Sequence, residues 1–374
     1  MILHPTFKEN SVIFSSPSLQ SFKDQFMGDI VTPDHPDYEV AIQRWAKNAV
    51  RRANIVVFVK DANDASLAVK YARESGLPLA IRGGGHNPAG ASSSEGIVVD
   101  LSRYVNECCV DPGKRLAYVG GGAVWKTVDE TAIEYGLATA GGTINHTGVG
   151  GLTLGGGFGW LAAAHGLVVD NLIQPHIYMI PFHNGPVEEG RKVFKAFLDL
   201  CPVDTTGEVQ YEQMNGLQND KVPHGRDYYF EGVVQKRYSA SIAKKVDNNL
   251  IEVEITDFYS PFQGKVNSVA DNAMAFNLRG AESNIFTITA WDDDSQEAAA
   301  RGKEATYAVT DTVSSSEGRI VGSKRSYGNY IGDEKLNAER LKRTFGDNYP
   351  RLQQIKKKYD PDVLFSKWFQ IVPA

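Results

Sequence analysis

The stretch "LAIRGGGHNPAGASSSEGIVVDL" (residues 79–101) sets three consecutive glycines and one histidine between two runs that read as β-strands. Glycine has no Cβ, so Gly83, Gly84 and Gly85 let the main chain take positive φ and press its N–H groups against a ligand that His86 would face. Upstream, "NIVVFVK" (54–60) is rich in β-branched residues and reads as a strand. "DANDASLAVKYARESG" follows as a helix in which Leu67, Tyr71 and Ala72 share a face and Gly76 closes the carboxyl end. "LPLAI" and "GIVVDLS" are further strands, so the glycine turn is a connection fed by a strand-helix-strand unit.

"RLAYVGGGAVWKTVDETAIEYGLATAGG" repeats this logic: a strand, a glycine turn, a helix from about Val124 to Tyr135 stopped by Gly136, and another short strand. "GGTINHTGVGGLTLGGGFGWLAAAHGLVVDNLI" is then dense in glycine from Gly141 to Gly159. Such density costs chain entropy, and a flexible linker would favour Ser over Leu, Phe and Trp, so a ligand lying along the backbone is the better explanation. From about Pro175 the strands lengthen ("HIYMIPF", "YYFEGVVQKRY", "IEVEITDFY", "NIFTITAW") and alternate with the helices "PVEEGRKVFKAFLDL" and "SQEAAARGKEATYAVTDTV", the pattern of an antiparallel sheet with helices on one face. The tail is tyrosine-rich and helical; in "QQIKKKYDP", Leu352 and Ile355 supply an apolar face and the lysines a solvated one.

A chain of 374 residues has room for two domains, or one with an inserted second. Its net charge of −6 offers no basic field for nucleic-acid phosphates, which points to a small-molecule partner. Cys108, Cys109 and Cys201 form neither a disulfide framework nor a zinc pattern. The amino-terminal residues lack the layout of a signal peptide and no segment reads as a membrane span, so the cytoplasm is the default expectation. The "WDDDSQE" acids read as a solvated turn and helix cap, with no second cluster to make a metal site. GxxxxGK[ST] and GxSxG are absent. "GFGWLA" (157–162) fits GxGxxA, but no strand precedes it and no acid follows at ribose spacing, so a nicotinamide-dependent reductase has weak support.

Taken in order, "RGGGHNPAG", "VGGGAVW", "GGTINHTGVGGLTLGGGFGWL" and "GLVVDNLI", with "YGNY" and "TFGDNYPRLQQIKKKYDPDVLF" near the carboxyl end, resemble the berberine bridge enzyme-like FAD-linked oxidases. The resemblance implies an α+β chain: a PCMH-type FAD-binding domain over residues 1–174 (core about 50–174), a substrate domain over 175–320 with an antiparallel sheet covered by helices, and a segment 321–374 returning to the FAD domain. It implies FAD joined through one imidazole nitrogen of His86 to the 8α-methyl of the flavin ring, which requires a neutral imidazole. The cofactor-binding set it implies is Arg82, Gly83, Gly84, Gly85, His86, Gly90, Gly142, Thr143, His146, Thr147, Gly148, Gly150, Gly151, Gly155, Gly157 and Asn329. Where many members carry a second, cysteinyl link this chain has Ile144, so one covalent bond is expected, with His146 a loop histidine nearby.

The resemblance also points to Tyr330 as the group that accepts a substrate proton while hydride leaves for flavin N5, provided some partner lowers its pKa. Glu252 and Glu254 share a strand face and are an alternative base or, more simply, a solvated sheet face. The implied activity is an oxidase for a small organic substrate, an alcohol, sugar or specialised metabolite, with oxygen giving hydrogen peroxide. One departure stands out: the family's "VVxADG" to "DLFWAxRGGGxNFG" block is missing, and "DNLIQ" runs straight into "PHIYMIPF". "NLRGAESN" (277–284) has a faint likeness to its glycine run but does not replace it. The loss would open a wall around the flavin phosphates. A homodimer or other partner covering the gap, a degenerate member that binds flavin weakly or acts as an interaction protein, and an alternative transcript all remain open on sequence.

Overall fold

A computed structural model of the chain describes residues 19–173, 176–178, 210–217, 219–235, 254–261, 264–279, 283–314, 327–332 and 338–374. The expected helix in "PVEEGRKVFKAFLDL", Glu252 and Cys201 lie outside the described residues.

The first sheet is mixed, in the order β1 (Asp29–Val31), β2 (Ile55–Phe58), β4 (Ile97–Asp100), β3 (Leu79–Arg82). β4 runs parallel to both β2 and β3 and lies between them. Buried on both faces, β2 and β4 need continuous β-branched runs, which "IVVF" and "IVVD" supply. Helix Ala62–Glu74 crosses from β2 to β3, capped by the Asp61 carboxylate, which accepts from Asp64 N. It buries Ala68 and Ala72 against Val57, Leu79 and Val99. A second sheet, β5 (Cys108–Asp111), β6 (Leu116–Val119), β8 (His176–Tyr178) and β7 (Leu172–Ile173), is antiparallel and carries helix Trp125–Ile133. The strand expected after Gly136 does not form; Ala138 and Ala140 are instead buried in a small cluster with Leu161 and Tyr211.

The third sheet has the order β10 (Glu254–Pro261), β11 (Ser283–Trp291), β9 (Asp227–Gln235), wholly antiparallel, with the long helix Gln296–Ser314 packed on one face. Val309 and Val313 of that helix meet Val233 and Ile285. The "WDDDSQE" acids form the expected turn: Asp293 accepts from Ser295 N, and Ser295 Oγ accepts from Ala298 N. Near the carboxyl end, helix Tyr349–Tyr359 corrects the expected amphipathic reading. Ile355 is exposed, whereas Lys356, expected to be solvated, turns inward to Asp360 and the Phe365 carbonyl, because those groups close the turn after the helix.

Trp45 joins the parts. It is 1% exposed, donates Nε1–H to Val222 O, and lies with ring centroids 4.0 Å from Tyr228 on β9 and 4.1 Å from His86. The triple-glycine loop, the segment before β2 and the third sheet therefore share one aromatic stack.

Candidate active site

A cavity of about 420 Å³ opens where these parts meet. The loop after β3 contributes Gly83, Gly84, Gly85 and His86; the second glycine stretch contributes Thr143, Thr147, Gly148 and Gly151; the carboxyl-terminal segment contributes Asn329 and Tyr330. These sequence-predicted residues, up to 247 positions apart in the chain, therefore share one wall, as Gly83 and Tyr330 show. Arg82, Gly90, Gly142, His146, Gly150, Gly155 and Gly157 do not line it.

The reason for the glycines differs from the expected one. A Cβ on Gly83 would stand 2.6 Å from Gly121 O, and one on Gly84 would stand 2.5 Å from the Cα of Gly148. A Cβ on Gly150 would meet Gly121 O at 2.9 Å. Three loops thus pack backbone against backbone, and most of the glycines serve that contact before any ligand. The others off the wall have similar reasons: Gly142 lies against Trp125, Gly155 against the Asn329 amide and Gly157 against Val168. Gly90 takes a positive φ in a turn beside Arg51. Gly151 is the exception. It sits inside helix Val149–Leu154, lines the cavity, and a Cβ there would meet nothing within 4 Å. Glycine within a helix costs ~1 kcal/mol relative to alanine, so an unfilled position facing a cavity suits close approach by a ligand.

Arg82 is held away from the wall by Asp100, Nη1 to Oδ2 at 2.7 Å, with Asp100 fully buried. His86 points its Nε2 at Nδ1 of His146, 3.1 Å away, and His224 stands beyond, its ring centroid 4.5 Å from that of His146. Burial holds the His86 imidazole well below the usual histidine range, and repulsion from His146 and His224 adds to it. Burial likewise takes His146 down to about 4. The cluster is therefore uncharged at neutral pH, which is the nucleophilic form of imidazole. His224 was missed in the sequence because its loop, "KVPHGRD", carries no motif.

The "YGNY" motif is built around Tyr327. Its hydroxyl accepts from Gly157 N (2.8 Å) and from Asn329 Nδ2 (2.8 Å), and the same Asn329 amide donates to Leu152 O (3.1 Å). Asn329 thus spends its donors on the protein. Tyr330 stacks on Phe286 with centroids 3.7 Å apart at 11°, edge-on to Tyr327. The lowering partner expected for a base is replaced by the opposite: burial pushes the Tyr330 phenol well above its ordinary value, and the Tyr327 phenol pushes it the same way. At neutral pH it is an un-ionised hydroxyl.

A buried acid lies behind the cavity. Asp129, 1% exposed, accepts from Asn215 Nδ2 at 2.7 Å, and Asn215 Oδ1 accepts from Nε1 of the cavity-lining Trp160 at 2.9 Å. Burial pushes the Asp129 carboxyl up to about 7, against the Asn215 bond that lowers it. The folded chain then binds this proton more tightly than the unfolded chain, so stability falls as pH rises from about 4 through 7. Asp129→Asn should be more stable than the parent by about 2–4 kcal/mol at pH 8, with the gap closing below pH 4 in urea titrations. A gap that does not change with pH would mean the carboxyl is not protonated in the fold.

Backbone loops of glycine beside a neutral imidazole, at the edge of a cavity roofed by an aromatic sheet, match the arrangement that a flavin-binding oxidoreductase requires. Comparison with known proteins specifies it. Residues 53–179 match the FAD binding domain family and residues 326–367 match the berberine and berberine-like family. The FAD-linked oxidoreductase pgmH of Aspergillus terreus is 25% identical over 481 aligned residues, 95% of this chain and 96% of that protein. The FAD-linked oxidoreductase YgaK of Bacillus subtilis is 42% identical over 153 residues, 41% of this chain and 34% of YgaK. Physcomitrella patens BBE-like 1 superposes with a TM-score of 0.78 at 16% identity, over 96% of this chain and 99% of that one. The chain is similar to the berberine bridge enzyme-like FAD-linked oxidoreductases at both ends and has an α+β fold like theirs. The 481 aligned positions exceed its own 374 residues, so more than a hundred positions of pgmH face a gap.

The residues present fit FAD. Gly151 leaves its side-chain space open to the cavity, and Ser92 Oγ, on the same wall, is buried without a hydrogen-bond partner in the protein. Among the described residues no helix is long and apolar enough to cross a membrane.

Proposed function

We propose that the protein oxidises a hydroxyl-bearing small molecule, passing electrons to oxygen, with FAD attached through His86 alone. The observation that carries this reading is the meeting of His86, the glycine loops and Tyr330 on one cavity. Bound FAD would supply the two-electron acceptor for oxidising a hydroxyl to a carbonyl, and oxygen would accept the two electrons and two protons as hydrogen peroxide. Gly83, Gly84, Gly148 and Gly151 bring main chain to the cofactor, with Ser92 Oγ offering a hydrogen bond. Ile144, apolar and on the wall, has no atom to form a second link. Tyr330 holds the substrate hydroxyl through a neutral phenol, and Phe286 keeps its ring in place.

The first experiment is the visible spectrum of the purified protein before and after acid precipitation. Yellow colour in the pellet supports the reading; colourless protein that takes up no added FAD removes it and favours a degenerate member, as the unmatched hundred positions of pgmH would suggest. Tyr330→Phe should retain full flavin content and slow flavin reduction about 10- to 100-fold in stopped-flow, the scale of one buried hydrogen bond. A phenolate base would instead lose roughly 10²- to 10⁴-fold and abolish an alkaline limb of the pH profile.

A further inference from the structure

Substrate class is written in the division of the cavity wall. β9 and β11 pair with Phe230 opposite Ile288 and Gly232 opposite Phe286. Alternation along the strands puts Phe230, Phe286 and Ile288 on one face, and all three line the cavity. Thr287 and Thr289 take the other face, where Thr289 Oγ1 meets Thr306 Oγ1 under the long helix. Trp45, Val222 and Ile144 join the same apolar cluster at the cavity edge.

The polar side chains on the wall have another origin. Asn87, Ser92, Thr143 and Thr147 come from the glycine loops that the reading above gives to the cofactor, and Asn329 donates to its own protein. Tyr327 also lines the cavity, but its hydroxyl accepts from Gly157 N and Asn329 Nδ2, and Tyr330 is the hydroxyl packed within the aromatic part. Among the described residues no Asp, Glu, Lys or Arg lines the cavity. A polyhydroxylated molecule would leave its hydroxyls unpaired against Phe230, Phe286 and Ile288, and an ionised acid or amine would meet no counter-charge.

We propose that the substrate is an uncharged molecule with a flat aromatic or similarly apolar ring beside its single reacting hydroxyl, and that sugars and ionised acids are rejected. The proposal rests on the oxidoreductase reading for the reaction but not for the binding preference. Trp45, Trp160 and Trp368 line the cavity, so tryptophan fluorescence of the full chain reports occupancy with or without FAD. Naphthylmethanol should quench it saturably, naphthoate should bind about 100-fold more weakly, and cellobiose should give no saturable change. Phe286→Asp should weaken naphthylmethanol about 10-fold or more, while Phe286→Leu stays within about threefold. If Phe286→Asp does not fold, Ile288→Thr, still β-branched but smaller and carrying a hydroxyl, should weaken it about fivefold, and Ile288→Val should do so by less than about threefold.

Saturable binding of cellobiose, equal affinity for alcohol and acid, or insensitivity to all these substitutions would overturn the proposal. Flavin reduced by cellobiose would overturn it while leaving the oxidoreductase reading intact. Discrimination in favour of naphthylmethanol by a chain that takes up no flavin would keep the binding preference and remove that reading.

Discussion

His86→Ala should yield protein with no acid-stable flavin: the precipitated pellet turns colourless, and the flavin-bearing peptide vanishes from the mass spectrum. The expected loss is complete, because the neighbouring groups cannot take over. Ile144 carries no nucleophile, and His146 is off the cavity wall with its Nδ1 directed at His86. The surroundings of His86 hold its imidazole in the form that such a bond would need. Trp45 stacks on it at an interplanar angle of 6°, fixing the ring plane, and desolvation keeps it neutral. Non-covalent FAD should still bind, since the glycine loops that would receive it pack on one another and not on the His86 ring. Retained acid-stable fluorescence would assign the link elsewhere, and a peptide bearing flavin through sulfur would overturn the alignment at Ile144.

Arg279→Leu should cost about 3–5 kcal/mol of stability, the largest loss expected from any single ion pair among the described residues. Arg279 and Asp170 are 3% and 7% exposed and bonded through two nitrogens and two oxygens, at 2.7 and 2.6 Å. Arg279 also donates to Val266 O, and Asp170 accepts from Leu167 N. Removing the guanidinium leaves a buried carboxylate with one backbone donor, far costlier than losing an exposed pair such as Arg52 with Glu39. The pair ties "GLVVDN" to "NLRGAESN", so the glycine stretch just before Leu167 should loosen with it. Urea unfolding checks the magnitude. A loss under about 1 kcal/mol would mean water reaches Asp170 once the arginine is gone.

Much of this architecture can be read from residues alone, because its causes are local. β-Branched runs bounded by glycine produce β2, β3 and β4; Asp61 and Gly76 mark the ends of the helix between β2 and β3; alternating apolar positions produce β9 and β11. His86, Gly84, Gly148 and Tyr330 stand in recognisable motifs, and the motifs meet at the cavity. What such motifs omit is the contact between them. "RGGGH" does not reveal that Gly84 needs its bare Cα for Gly148, nor that a histidine from "KVPHGRD" completes a neutral imidazole cluster. The pKa of Tyr330 has the same character. Its sequence neighbours suggest a base, but burial and Tyr327, set by packing on Phe286, make it a neutral phenol. Nor does "NLRGAESN" show that its arginine neutralises Asp170, more than a hundred residues away.

The sequence by itself, through the order of its motifs and their resemblance to a known family, determined the α+β fold class and the flavin cofactor, because those motifs fix which residue types stand at which spacing. Only the tertiary structure decided which glycines face the cavity, which groups are charged there, and that the third sheet gives the cavity an aromatic side. Those properties depend on desolvation and on backbone approach between segments distant in the chain, and neither quantity is carried by any one of the segments.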